Sequence, residues 1–322
     1  MSAFETECSV QVPALVQARR CGCALHSRRL FTGLTAGAAA GLAVGAFTPG
    51  GAWAQSPAAP PLEEGVAKEV GKSSALGKLV PAEQLEQSAA AQFTQMKQQA
   101  QQKNALAGPD HPQLRRLRAI ADRIIPFAPP WNPRARDWKW EVQLIGSPQI
   151  NAFCMPGGKI AFYWGILAKL QLSDDEVAMI MGHEVAHALR EHARERMAKT
   201  TATRVGANIV SSLLGLGSLG DAAVGMGAQL LTLKFSRDDE TEADLVGLEL
   251  AARAGYNPES GVSLWRKMMQ ANKGAPPEFM STHPAGDSRI EDIQKVLPKV
   301  LPLYARAPKP DREFGPPEPK KS

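Results

Sequence analysis

The sequence predicts an α+β domain, mainly helical with one small β-sheet. Long stretches repeat their apolar residues at helical spacing and open on capping residues. Short runs between residues 138 and 164 read as strands around a Pro-Gly-Gly turn. The segment MGHEVAHALREHA, residues 181–193, puts three of the chain's six histidines on one predicted helix.

The first 54 residues read as an export signal. Ser27-Arg28-Arg29-Leu30-Phe31 precedes an uncharged Gly/Ala/Leu stretch, and Ala52-Trp53-Ala54 is a small-x-small cleavage pattern that makes Gln55 the expected mature start. The arginine pair resembles a twin-arginine signal, which exports folded proteins. The alternative is an uncleaved anchor, but the stretch is short and Gly-rich for a membrane span. The expected location is therefore periplasmic, with membrane anchoring as the alternative. Cys8, Cys21 and Cys23 would leave with the signal, so Cys154 alone remains and no internal disulfide is expected. The net charge of +5 falls to near balance without this Arg-bearing leader. Charge thus gives no reason to expect a nucleic-acid partner.

Residues 55–80 are rich in Ala, Pro, Gly and Lys and read as a linker. Residues 82–105 are Gln- and Ala-rich and suggest one exposed helix. Asp110 and Pro112 open a helix to about Ile125, with Leu114, Leu117, Ile120 and Ile124 on one face. Residues 138–145 alternate as a strand. Ile150–Met155 and Lys159–Trp164 flank Pro156-Gly157-Gly158, giving a hairpin or a small meander. Ser173, with Glu176 three residues on, predicts a capping box for a helix running to about Met197. Residues 205–233 are apolar and Gly-rich. They read as a hairpin or lid packed over the site, with membrane insertion as the alternative and membrane-surface association as a further expectation. Helices follow from about Arg237 to Ala254, from Pro258 to about Lys273, and from Gly286 to Leu297. A loop carries Ser281-Thr282-His283-Pro284, and the end beyond residue 306 reads as disordered. The domain boundaries expected are 1–54 signal, 55–109 linker and helix, 110–305 main domain and 306–322 tail.

His183 and His187 are four apart, about 40° in helical projection, so both imidazoles can grip one cation. Zn²⁺ suits nitrogen donors and is redox-inert. Glu184 lies about 100° further round. It is placed to take a proton from a water that zinc acidifies from about 15.7 toward about 7, and to pass it on to a leaving amine. An ordinary surface helix is the competing reading. Against it, Val177, Ile180, Met181, Val185, Ala186 and Ala188 bracket the pair, and buried histidines need partners. His192 projects about 140° from His187 and reads as structural. A third ligand is needed. In SRDDETEADLVGLELA, Glu240 and Asp244 share a face, so Glu240 is the expected ligand and Asp244 the acceptor that orients an imidazole. Glu242 points elsewhere.

G-H-E-x-x-H at 182–187, E-x-x-A-D at 240–244, Asn151-Ala152-Phe153 continuing to Pro156-Gly157-Gly158-Lys159-Ile160, and Thr282-His283-Pro284 with Arg289-Ile290 together resemble the HtpX, BepA and CAAX prenyl protease type of zinc metallopeptidase. The likeness runs over roughly residues 110–300. It implies a gluzincin fold, one Zn²⁺ per chain, and an edge strand bordering the cleft. It also implies that Asn151, Ala152 and Phe153 bind substrate as an added strand. His283 and Arg289 would lie near the zinc, either one able to stabilise an oxyanion, and His283 also able to act as a regulatory fourth ligand. The function implied is an endopeptidase acting on unfolded or misassembled envelope proteins, outer-membrane proteins among them. The alternatives are a chaperone-like assembly factor with a self-blocked site and a membrane-anchored processing protease.

Overall fold

The computed structural model describes residues 64–71, 73–205, 230, 233–271, 278–283 and 287–318. The expected signal and nearly all of the expected lid, 205–233, lie outside these residues. The helices are α1 (Ala82–Gln102), α2 (Pro112–Ile124), α3 (Trp164–Leu170), α4 (Asp174–Leu189), α5 (His192–Val205), α6 (Arg237–Arg253), α7 (Ser260–Ala271), α8 (Glu278–Thr282) and α9 (Asp287–Arg306). Strands β1 (Glu141–Ile145), β2 (Ala152–Met155) and β3 (Lys159–Tyr163) form one sheet in the order β1-β3-β2. This is a mainly helical α+β domain. No described helix is long and apolar enough to cross a membrane.

The β2–β3 hairpin is antiparallel, and Gly157 and Gly158 supply the positive φ values of +83° and +76° that its turn requires. β1 runs parallel to β3, pairing Val142 with Ile160 and Leu144 with Phe162, so the sheet is mixed and not a meander. β3 is central and fully apolar inside, with Ile160, Ala161 and Phe162 buried on both sheet faces. β2 is left at an edge, against α4.

Ser173 caps α4 as expected: its Oγ accepts from Glu176 N at 3.2 Å while Glu176 Oε2 accepts from Ser173 N at 2.9 Å. Helix α6 opens on the same device, formed by Ser236 and Asp239. The two helices cross where Gly182 faces Gly247. A Cβ on Gly247 would sit 2.6 Å from His183 N, and one on Gly182 would sit 2.6 Å from Gly247 O. Only hydrogen at both positions allows this approach, which brings the α6 acids to the α4 histidines.

Several expectations fail. The helix from Ser173 does not reach Met197. It stops at Leu189, and Glu191, at φ 58°, turns the chain into α5. Helix α1 is not exposed, because Leu85, Ala89, Phe93 and Ala100 are buried. The supposed linker is partly a packed strap. Val66 is fully buried, its N–H donates to Glu249 Oε2 at 2.7 Å, and Arg194 Nε donates to Val80 O at 2.5 Å. The tail likewise has a fixed path along 307–318, with Phe314 N and Gly315 N donating to Asp174 at 2.7 and 3.1 Å. The last helix runs on to Arg306 through Pro298 and Pro302.

Candidate metallopeptidase centre

Four buried side chains converge between α4, α6 and the end of α8. One ligand atom from each of His183, His187, Glu240 and His283 lies within 4.8 Å of the others, and none of the four residues is more than 4% exposed. His183 Nε2 is 3.1 Å from His187 Nε2 and 3.3 Å from His283 Nδ1. Glu240 Oε1 is 3.0 Å from His283 Nδ1 and 3.5 Å from His187 Nε2, and Glu240 Oε2 is 3.6 Å from His183 Nε2. A tetrahedron with bonds of about 2.1 Å has edges of about 3.4 Å. Taking Glu240 Oε1 as the carboxylate donor, four of the donor-pair distances lie at 3.0–3.5 Å, near that value, so these four residues could hold one cation with N and O ligands.

Each donor is held from behind. His183 Nδ1 meets Asp244 Oδ1 at 3.0 Å, and Arg289 clamps that carboxylate with Nε and Nη2, both at 2.7 Å. Arg289 Nη1 also reaches Glu240 Oε2 at 2.6 Å, and its guanidinium lies 3.6 Å over the Trp265 ring. Two carboxylates and an indole thus take up this buried cation. Arg289 is thus held against Asp244, the carboxylate that meets His183. Phe235 stacks on His187 with centroids 4.0 Å apart, and Phe279 stacks on His283 at 4.5 Å.

Glu184 is 2% exposed. Its Oε1 has no hydrogen-bond partner among the described residues and lies 3.5 Å from His283 Nε2. Burial raises the Glu184 carboxyl above its ordinary value, and the nearby Glu240 adds to this, against the pull of His283 and His183. Burial holds His187 well below its ordinary value, so it offers a lone pair. Asp244 falls to about 2: burial opposes its charge, but Arg289 and His183 outweigh it. For His283 burial also opposes charge, yet Glu184 and Glu240 hold it above its usual value.

Asn151 stands just before the edge strand, where its Oδ1 accepts from Ala152 N at 2.9 Å. Ala152 is buried, and the Phe153 ring meets Tyr163 at 6.3 Å. Phe279 N donates to Ile150 O at 3.1 Å, so α8 lies against the approach to β2. Sequence reasoning missed Phe235, Phe279 and Trp265. Phe235 precedes the Ser236 cap, where an apolar residue normally just staples a helix. It also set Glu242 aside and gave His192 no partner, although the two meet behind His187.

Fold and donor set together define a zincin-like metallopeptidase. The model of peptidase family M48 matches residues 112–297, and the chain belongs to that family. It is 36% identical over 167 residues to the mitochondrial metalloendopeptidase OMA1 of Arabidopsis thaliana, covering 51% of this chain and 33% of the relative. The yeast protein of that name, from Saccharomyces cerevisiae, is 33% identical over 177 residues, 52% of this chain and 50% of the relative. The beta-barrel assembly-enhancing protease of Escherichia coli is 28% identical over 178 residues, 51% and 36% respectively. The chain thus spans half or less of the length of these relatives. The OMA1 likeness adds a branch that the motifs alone did not name.

Proposed function

We propose that this protein is a zinc endopeptidase that cuts unfolded or misassembled envelope proteins. The observation that carries the reading is the convergence of four buried donors beside a carboxylate oxygen of Glu184 that has no hydrogen-bond partner among the described residues. His183, His187 and Glu240 would hold the ion, with His283 as a fourth donor in the resting arrangement. When bound, the ion supplies Lewis acidity, toward water and toward a peptide carbonyl. Glu184 takes a proton from the attacking water and returns it to the leaving amine. Its raised pKa suits this exchange near neutral pH. Asp244 and Arg289 keep the His183 ring in one orientation.

Residues 151–153 would receive substrate main chain along the β2 edge, a mode that reads backbone more than side chains and suits unfolded polypeptide. The relative named for β-barrel assembly supports an envelope substrate, and the S-R-R-x-F leader supports export to the periplasm.

A second reading, a chaperone-like factor with a self-blocked site, is favoured by one observation: His283 Nδ1 lies inside the donor group. Glu184→Gln separates the two. The variant should bind one zinc per chain and keep its fold, yet lose cleavage of casein by at least about 10³-fold. Cleavage at the wild-type rate would end the peptidase proposal.

A further inference from the structure

His187 and His183 are supported by different chemistry. Behind His183 stands a carboxylate, Asp244. Behind His187 stands another imidazole: His192 Nδ1 is 2.9 Å from His187 Nδ1. His192 Nε2 is 3.4 Å from Glu242 Oε2, and Arg190 Nε donates to that same oxygen at 2.8 Å. Arg190 Nη2 also donates to Gly71 O on the N-terminal strap. His192 is 2% exposed and the Arg190 side chain 8%, while Glu242 at 28% touches solvent.

Proton counting sets the direction of this chain. For His187 Nε2 to present a lone pair to a cation, its proton must sit on Nδ1. That N–H needs an acceptor, and the neighbour at 2.9 Å is His192 Nδ1. His192 must then carry its own proton on Nε2, facing Glu242. Each tautomer fixes the next, and the Glu242 carboxylate, anchored by Arg190, ends the series. The helix break makes the contact possible. On a continuous helix, residues five apart diverge by about 140°, but the left-handed turn at Glu191 swings His192 back under His187.

We infer that His192 is a positioning residue for His187, locking its tautomer and ring orientation through Glu242. The inference rests on the metal-centre reading proposed above. His192 would not touch substrate or the ion. Its loss would weaken metal binding by the roughly 10- to 100-fold typical of a ligand's supporting partner.

The test uses the full chain and measures zinc affinity by chelator competition, with the visible spectrum of the cobalt-substituted protein as a second readout. His192→Phe keeps ring volume but cannot accept a proton. It should lose about 10- to 100-fold in affinity and shift the cobalt bands. His192→Gln can accept from His187 Nδ1 and donate to Glu242, so it should recover most of the loss. Glu242→Gln should weaken binding in the wild-type background and do nothing further in His192→Phe. The inference is overturned if His192→Phe binds zinc as tightly as the parent. Equal losses in the Phe and Gln variants overturn it too, since packing alone would explain them. Failure of the parent to bind zinc at all would instead sink the proposed function, and this inference with it.

Discussion

At the level of single side chains, His283 holds the pivotal position. Its Nδ1 closes the donor group and its Nε2 faces Glu184 across 3.5 Å. It thus stands where water and a substrate carbonyl would otherwise come between base and cation. An enzyme whose competent form is a fraction of the population gains activity when the competing contact is removed. His283→Ala should therefore raise casein cleavage, by at least about threefold, while leaving three donors to hold zinc. A fall in kcat at unchanged zinc content would show that His283 helps the reaction. That His183, His187 and Glu240 come together was readable from spacing, because helical projection is rigid and local. The bond between His187 and His192 was not, since it depends on one backbone angle at Glu191 that no periodicity encodes.

Among elements, the crossing of α4 and α6 decides whether a site exists. Gly182 and Gly247 meet backbone to backbone, and Gly247→Ala would drive a methyl to within 2.6 Å of His183 N. Main chain on both sides leaves nothing flexible to yield. The substitution should cost about 1–3 kcal/mol and weaken zinc binding by moving Glu240 away. An unchanged urea midpoint would show that the helices can part freely. The capping boxes and the β2–β3 hairpin follow from short-range signals at Ser173 and Pro156-Gly157-Gly158. The parallel pairing of β1 with β3 does not, because it joins segments that no turn connects.

The strap at residues 64–71 was also hidden, since Val66 and Val70 lie in a composition typical of linkers. It docks on Glu249, a fully buried carboxyl that accepts from Val66 N and Arg253 Nε and faces Glu69. Burial raises the Glu249 pKa above the ordinary 4.5, and Glu69 adds to this. The folded chain then keeps this proton to higher pH than the unfolded chain does. Its contribution to stability is greatest below about 4.5 and declines as pH rises through the raised value. Glu249→Gln, which cannot ionise, should gain stability relative to the parent between about pH 4.5 and pH 7. Urea midpoints for both proteins at the two pH values check this, and a pH-independent difference would contradict it.

For the molecule as a whole, the donors come from three places far apart in sequence: α4, the first turn of α6, and the residue after α8. A cation gripping all of them ties these elements together only in the folded state, because the unfolded chain spreads the same donors over a hundred residues, His183 to His283. Binding to the folded form alone stabilises it by about 4.1 kcal/mol at a thousandfold excess over Kd. For a domain of roughly 150–250 residues each kcal/mol moves Tm by about 2–4 °C. Stripping the metal with a chelator should therefore lower Tm by roughly 8–16 °C, and restoring zinc should return it. Glu240→Gln, with one donor weakened, should lose much of that shift. Equal melting of the parent with and without chelator would mean that the four side chains hold together without an ion, through their own hydrogen bonds and the Arg289 clamp.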